Sequence, residues 1–357
     1  MEEWPTLLLN SARTGSMEES FAPPLRVLWK KRTPFYIWAS PVIKEGLVCM
    51  PDFDQGVYAL YLESGEEAWR RSEFGVRGRS SLTVVGDLLL VPDVKALTAL
   101  DIRSGETRWE IEGSCGHCTP CVENGTVYWG TKEATLRAAE IANGSLKWES
   151  WLGASGDVVP SATLSSVFAN SGPRVWAVNA MTGEQIWTKQ FVGNQPIAQA
   201  AMSVADGRVI VSVVREALVA LDAGTGEEIW RAIGDSPPTT SPCVVREDGV
   251  VYVAGSKLAA VSLETGNRLW ETDRYGFSTS APIAVGDTLY IGGGHWRRVY
   301  GFARKTGREI WNFETKDLVY STPSYSAGHL LVGSHDHNLY CLVQAGDEDQ
   351  QLFDGMR

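Results

Sequence analysis

Three groups of residues have the types and spacing for chemistry. Cys115-Gly-His117-Cys118-Thr-Pro-Cys121 sets three thiols and an imidazole at the C-x-x-C-x-x-C spacing used by metal and iron–sulfur centres. His295, in GGGHWRR, and His335 and His337, in GSHDH, are imidazoles that would hold a metal or pass protons. His117 with Arg77, Asp157 and Tyr320 would supply an acid–base pair and an anion clamp for a small substrate, since imidazole titrates near neutrality and guanidinium grips carboxylates. No nucleophile elbow, phosphate loop or catalytically spaced carboxylate pair accompanies them. Lys plus Arg number 32 against 43 Asp plus Glu, a net charge of -11, which argues against nucleic acid and anionic membrane as partners.

The elements that would position these groups are repeated. ALDAGTGEEIW (220–230) recurs as ALYLESGEEAW (59–69), ALDIRSGETRW (99–109), AAEIANGSLKW (138–148), AVNAMTGEQIW (177–187), AVSLETGNRLW (260–270) and GFARKTGREIW (301–311). Each has a small residue at position one, Gly at seven and Trp at eleven. Trp29 precedes them without the rest of the unit, and LYCLVQAG (339–346) begins one that never reaches a Trp. The tryptophans at 29, 69, 109, 148, 187, 230, 270 and 311 are 39 to 43 residues apart, the length of a four-stranded propeller blade. Runs such as LTVVGDLLLVP, VIVSVV and VVYVAG between them are β-branched and broken by turn residues. The fold expected is all-β: one eight-bladed propeller of four-stranded antiparallel blades, closed by pairing the strand near Trp29 with the strand near Tyr340. An irregular arm (1–24) precedes the ring (25–346) and a mobile tail (347–357) follows it. Each Trp is expected to fasten its blade to the next.

These units resemble the eleven-residue tryptophan-docking motif of the pyrroloquinoline-quinone-like repeat. That repeat builds quinoprotein alcohol dehydrogenases and the eight-bladed lipoprotein subunit of the outer-membrane barrel-assembly machinery. The resemblance covers nearly the whole chain and implies the ring; the ring serves catalysis in one branch and protein binding in the other. The lead-in W-P followed by N-x-A-R-T-G (Trp4, Pro5, Asn10 to Gly15) also resembles that of family members, where it packs on the ring. The quinoprotein branch is longer and carries adjacent cysteines beside its cofactor; this chain has no Cys-Cys pair, so no quinone and no other cofactor is expected.

The repeat also sorts the candidates. Cys121 aligns with Val42, Cys243 and Ile283, which makes it a core residue, and residues three apart on an extended segment face opposite sides. No metal is therefore expected, with Cys115, His117, Cys118, His335 and His337 as the residues to watch. Loops leading into the innermost strands end on small residues such as Ala39-Ser40-Pro41 and Ser241-Pro242-Cys243. Just before them stand Tyr36, Trp38, Arg77, Arg79, His117, Asp157, Gln199, Tyr275, Phe277 and Tyr320, a ring of unlike residues around one mouth of the central funnel. That face is the expected binding surface, for a protein, a peptide or a small molecule.

The function expected is a noncatalytic binding scaffold. The alternative is an enzyme using His117, Arg77, Asp157 and Tyr320, and a quinone-dependent oxidoreductase is the third reading. The opening MEEWPTLLLN has neither the basic start nor the apolar stretch of a secretory signal, and no segment has the apolar length of a membrane span. With six cysteines read as buried free thiols, these features point to a cytoplasmic monomer.

Overall fold

The computed structural model describes residues 3–52, 56–76, 78, 80–153, 158–191, 200–213, 216–232, 238–273 and 279–346. Thirty-two of their strands form eight sheets of four antiparallel strands each, arranged as an eight-bladed propeller, with no helix among the described residues. Within blade 1 the order from axis to rim is Val42–Lys44, Leu47–Asp52, Gly56–Tyr61 and Glu67–Arg71, and the other blades repeat it. The eighth blade is composite: Leu25–Arg32 is its outer strand, paired antiparallel with Asn338–Gln344. Trp29 there stands opposite Cys341, so the two incomplete units of the sequence make one whole.

The core lies in the layers between blades. Val42, Cys49, Val57 and Ala59 of blade 1, for example, pack on Leu82, Val84, Leu89 and Val91 of blade 2. The tryptophans join these layers at the rim. In every blade the Trp pairs with the small residue of position one, Ala177 with Trp187 for instance, and the pairing slips by one residue beside it. Such a bulge turns a side chain out of its own sheet. Seven indoles then donate Nε1–H to a carbonyl of the next blade, from Trp29 to Leu62 at 2.7 Å through Trp187 to Ala223 at 2.9 Å to Trp270 and Arg304 at 3.1 Å. The ring lies over the motif glycine of that blade: a Cβ on Gly226 would stand 2.6 Å from the Trp187 indole. Gly226 also has φ +73, so both the turn and the docking exclude a side chain. Trp311 is the exception; it stacks on Phe313 at 6.3 Å, and among the described residues no carbonyl receives its N–H.

At the axis a second set of fastenings explains the small residues ahead of each inner strand. Ser40 N–H donates to Ser81 Oγ, Ser81 N–H to Thr119 Oγ1, Ala201 N–H to Ser241 Oγ and Ala281 N–H to Thr322 Oγ1, all between 2.9 and 3.0 Å and all between neighbouring blades. Inside this belt runs the N-terminal arm. Its carbonyls at Trp4, Pro5, Ser11, Ala12, Thr14 and Gly15 accept from the inner-strand N–H groups of Ile43, Val84, Ala162, Val204, Val244 and Ala284 in turn. The segment thus circles the axis once and covers strand edges that would otherwise be unpaired. Ser16–Met17 adds a short parallel strand to Ile283–Val285, and the chain then leaves for the outer strand of blade 8.

Candidate functional site

Alternation of strand direction puts the turns between second and third strands on the same face as the loops leading into the innermost strands. Among the described residues, several of these turns are held by an adjoining loop, as Cys115 N–H donates to Asp93 O at 3.2 Å in blade 2 and Leu152 N–H to Ala134 O at 2.9 Å in blade 3. His335 N–H donates to Leu318 O at 2.8 Å and Ile37 N–H to Ser334 O at 3.2 Å, which holds the GSHDH turn between the loops leading into blades 8 and 1. Gly333 makes that approach feasible, since a Cβ there would stand 2.4 Å from Ile37. Gly294 bridges to Val319 in the same way, bringing the turn with His295 against the loop leading into blade 8.

The consequence is a cluster of five rings from four loops. Tyr36 and Trp38 are 5.7 Å apart between centroids, His335 lies 4.8 Å from Tyr36 and 5.4 Å from Trp38, and Tyr320 closes on His335 at 5.0 Å and on Trp38 at 6.4 Å. His295 meets Tyr320 edge-on at 6.0 Å, with Nε2 3.4 Å from the phenol oxygen. These are the separations and tilted geometries at which aromatic quadrupoles attract. Phe35 and Trp296, 38% and 53% exposed, extend the aromatic sector over blades 7, 8 and 1. Beneath it Tyr340 donates to Asp336 at 2.6 Å; burial first, and then the carboxylate, hold the phenol above its ordinary pKa.

Trp38 and Tyr320 also line the central pit, with Ser40, Thr240, Ser241 and Thr322 as hydroxyl-bearing walls and Leu7 of the arm as floor. The pit has a volume of about 40 Å³, far below the roughly 300–1,000 Å³ of small-molecule sites.

The structure brings together Tyr36, Trp38, Tyr320 and His335, and adds His295, which the sequence presents as a turn residue. His117 is elsewhere, so close to Gly78 that a Cβ there would be 2.5 Å from its Nδ1, and it does not line the pit. Arg77, Arg79, Asp157, Gln199, Tyr275 and Phe277 lie outside the described residues. Cys115 and Cys118 pack in the layer between blades 2 and 3, whereas Cys121 packs between blades 3 and 4. Burial pushes the Cys121 thiol up to about 12. His337 Nδ1 donates to Pro34 O at 2.9 Å and ties the turn to the loop leading into blade 1. Among the described residues no three His, Cys, Asp or Glu side chains are grouped to hold a metal ion, and no helix is long and apolar enough to cross a membrane.

The family model described as outer membrane protein assembly factor BamB matches residues 22–116 and 112–313. The assembly factor BamB of Moranella endobia is 24% identical over 344 residues, 87% of this chain and 86% of its own. The solved BamB structure from Moraxella catarrhalis superposes with a TM-score of 0.73 at 19% identity, over 91% of this chain and 99% of that one. The quinohemoprotein alcohol dehydrogenase of Comamonas testosteroni gives 0.79 at 13% identity, over 97% and 81%, a likeness of fold alone. The expected cytoplasmic location is overturned by these assembly factors, which carry the outer membrane in their name. Residues 3–17 fill the axis, and all six cysteines are free and buried in the layers between blades, so neither feature reports on location.

Proposed function

The chain belongs to the outer membrane protein assembly factor BamB family, and from that premise we propose that it is a noncatalytic, protein-binding scaffold in outer-membrane protein assembly. Its partner docks on the funnel face at the aromatic sector of blades 7, 8 and 1. The observation that carries this reading is the five-ring cluster of Tyr36, Trp38, His295, Tyr320 and His335 at the mouth of a pit too small for a substrate. Large amphipathic rings held by their neighbours lose little entropy when a partner covers them, which is why such residues dominate protein interfaces. The opposite face repeats a Ser-, Asn- or Thr-Gly turn, and among the described residues it carries no comparable ring cluster.

A photo-crosslinking side chain at position 38 or 320, in cells assembling outer-membrane proteins, tests the proposal. Crosslinks to a discrete protein are expected from both positions and none from Met181, 83% exposed on the opposite face. Equal crosslinking from position 181 removes the funnel face from the proposal. Trp38→Ala is expected to weaken partner binding about 30-fold or more, as for an interface anchor worth over ~2 kcal/mol.

A further inference from the structure

The arm is bound as a ligand is bound. Its backbone bonds one inner strand after another at 2.6 to 3.0 Å, and Trp4, Leu8 and Met17 are buried in the core of blades 7, 8 and 1. Thr6 Oγ1 and Ser11 Oγ add contacts to Thr83 and Glu123 at 3.0 and 2.5 Å. At its centre Arg13 is fully buried and caged by oxygens. Nη1 donates to Thr6 Oγ1 and Leu7 O at 2.8 and 2.9 Å, Nη2 to Thr119 O and Pro120 O at 2.9 and 3.0 Å, and Nε and Nη2 reach Pro160 O at 3.4 Å. The guanidinium therefore pins the curled arm to blades 3 and 4 at once. Leu8, Leu9 and Arg13 have φ of 55, 74 and 59, left-handed values that non-glycine residues hold only where their surroundings impose them.

The indole, hydroxyl and outer-strand fastenings of the ring do not involve this segment. The seven indole–carbonyl bonds lie at the rim, the hydroxyl belt joins blade to blade, and Leu25–Arg32 pairs with Asn338–Gln344 beyond the arm. The tether is open to solvent at Glu18 and Ser20.

We propose that the axis of the ring is a peptide-binding channel, that residues 3–17 are its resident ligand, and that the same segment supplied as a separate peptide binds there. The channel recognises a curled segment that turns its carbonyls outward and folds one arginine back into a cage of carbonyls. Because Leu7 is the floor of the funnel pit, departure of the arm deepens the pit into the axis.

The test uses the full chain with a site-specific protease sequence inserted after Glu18. After cleavage the ring is expected to keep its β-sheet circular dichroism and to co-elute with the arm on gel filtration. A labelled peptide of residues 1–18 is then expected to exchange into the cut ring, in urea below the ring's own unfolding midpoint. The Arg13→Ala peptide should bind about 10- to 100-fold more weakly, the loss of charged hydrogen bonds, with Arg13→Lys between the two. Loss of the sheet signal on cleavage makes the arm an integral part of the fold and overturns the proposal. So does failure of the peptide to enter, or equal binding of the Arg13→Ala peptide.

Discussion

The rim and the axis of this ring solve one problem, holding neighbouring sheets together, with different chemistry. At the rim the fastener is a side chain, an indole laid on the next blade's glycine with its N–H on a carbonyl. At the axis it is a backbone segment that passes from one inner strand to the next and is locked by a single guanidinium. Rim fastenings are local and repeated, so each can fail without its neighbours; the axial one is continuous, so a break at its centre is felt along its length.

Removing one rim fastener should have the largest effect. Trp187→Ala deletes a side chain only 7% exposed together with its bond to Ala223, and is expected to cost about 3–5 kcal/mol in urea unfolding. Trp311→Ala, which removes an indole without such a bond, should cost about 1–2 kcal/mol. Equal losses at the two sites would mean that docking onto the next blade contributes nothing beyond burial.

Arg13→Ala comes next, at about 2–4 kcal/mol, because it leaves buried carbonyls without donors. Loss of amide-exchange protection should spread along residues 3–17 and stop at the rim; a loss confined to residue 13 would remove the distinction between axis and rim. A glycine pair separates conformation from contact. Gly183 and Gly207 have nearly the same φ, +73 and +72, but a Cβ on Gly183 meets the Trp148 ring at 2.6 Å while one on Gly207 meets nothing. Alanine at 207 should cost about 1 kcal/mol, and at 183 roughly 1–2 kcal/mol more.

The smallest effect is electrostatic. The side-chain bond from Arg108, then the backbone N–H of Ser104, hold Asp101 down to about 2. A carboxylate with a depressed folded pKa stabilises above its unfolded value of ~3.9 and loses that contribution as pH falls toward 2. In thermal unfolding Asp101→Asn should flatten that window by under about 1 kcal/mol, as befits a surface pair, and leave pH 7 to 8 without a slope.

What could be read in the sequence follows the same division. Side chains that recur at 39 to 43 residues announce the blades, and Cys341 opposite Trp29 shows that even the split unit obeyed the pattern. Counting back from the small residues of each inner strand puts Tyr36, Trp38 and Tyr320 on one face, because that register is itself repeated. The sequence does not join His295 and His335 to them, since their partners lie in other loops, 25 residues on for His295 and about 300 residues back for His335, and nothing periodic links a turn to such a loop. Ser81, Thr119, Ser241 and Thr322 marked a position whose purpose, bonding the neighbouring blade, shows only when two blades stand side by side. The path of the arm left least trace, because carbonyls carry no sequence.

The composite blade sets an order of events during synthesis. Leu25–Arg32 leaves the ribosome about 300 residues before its partner Asn338–Gln344. For the whole interval the nascent chain carries one orphan strand and a growing open arc, so it is while being translated that this protein is most in need of a chaperone.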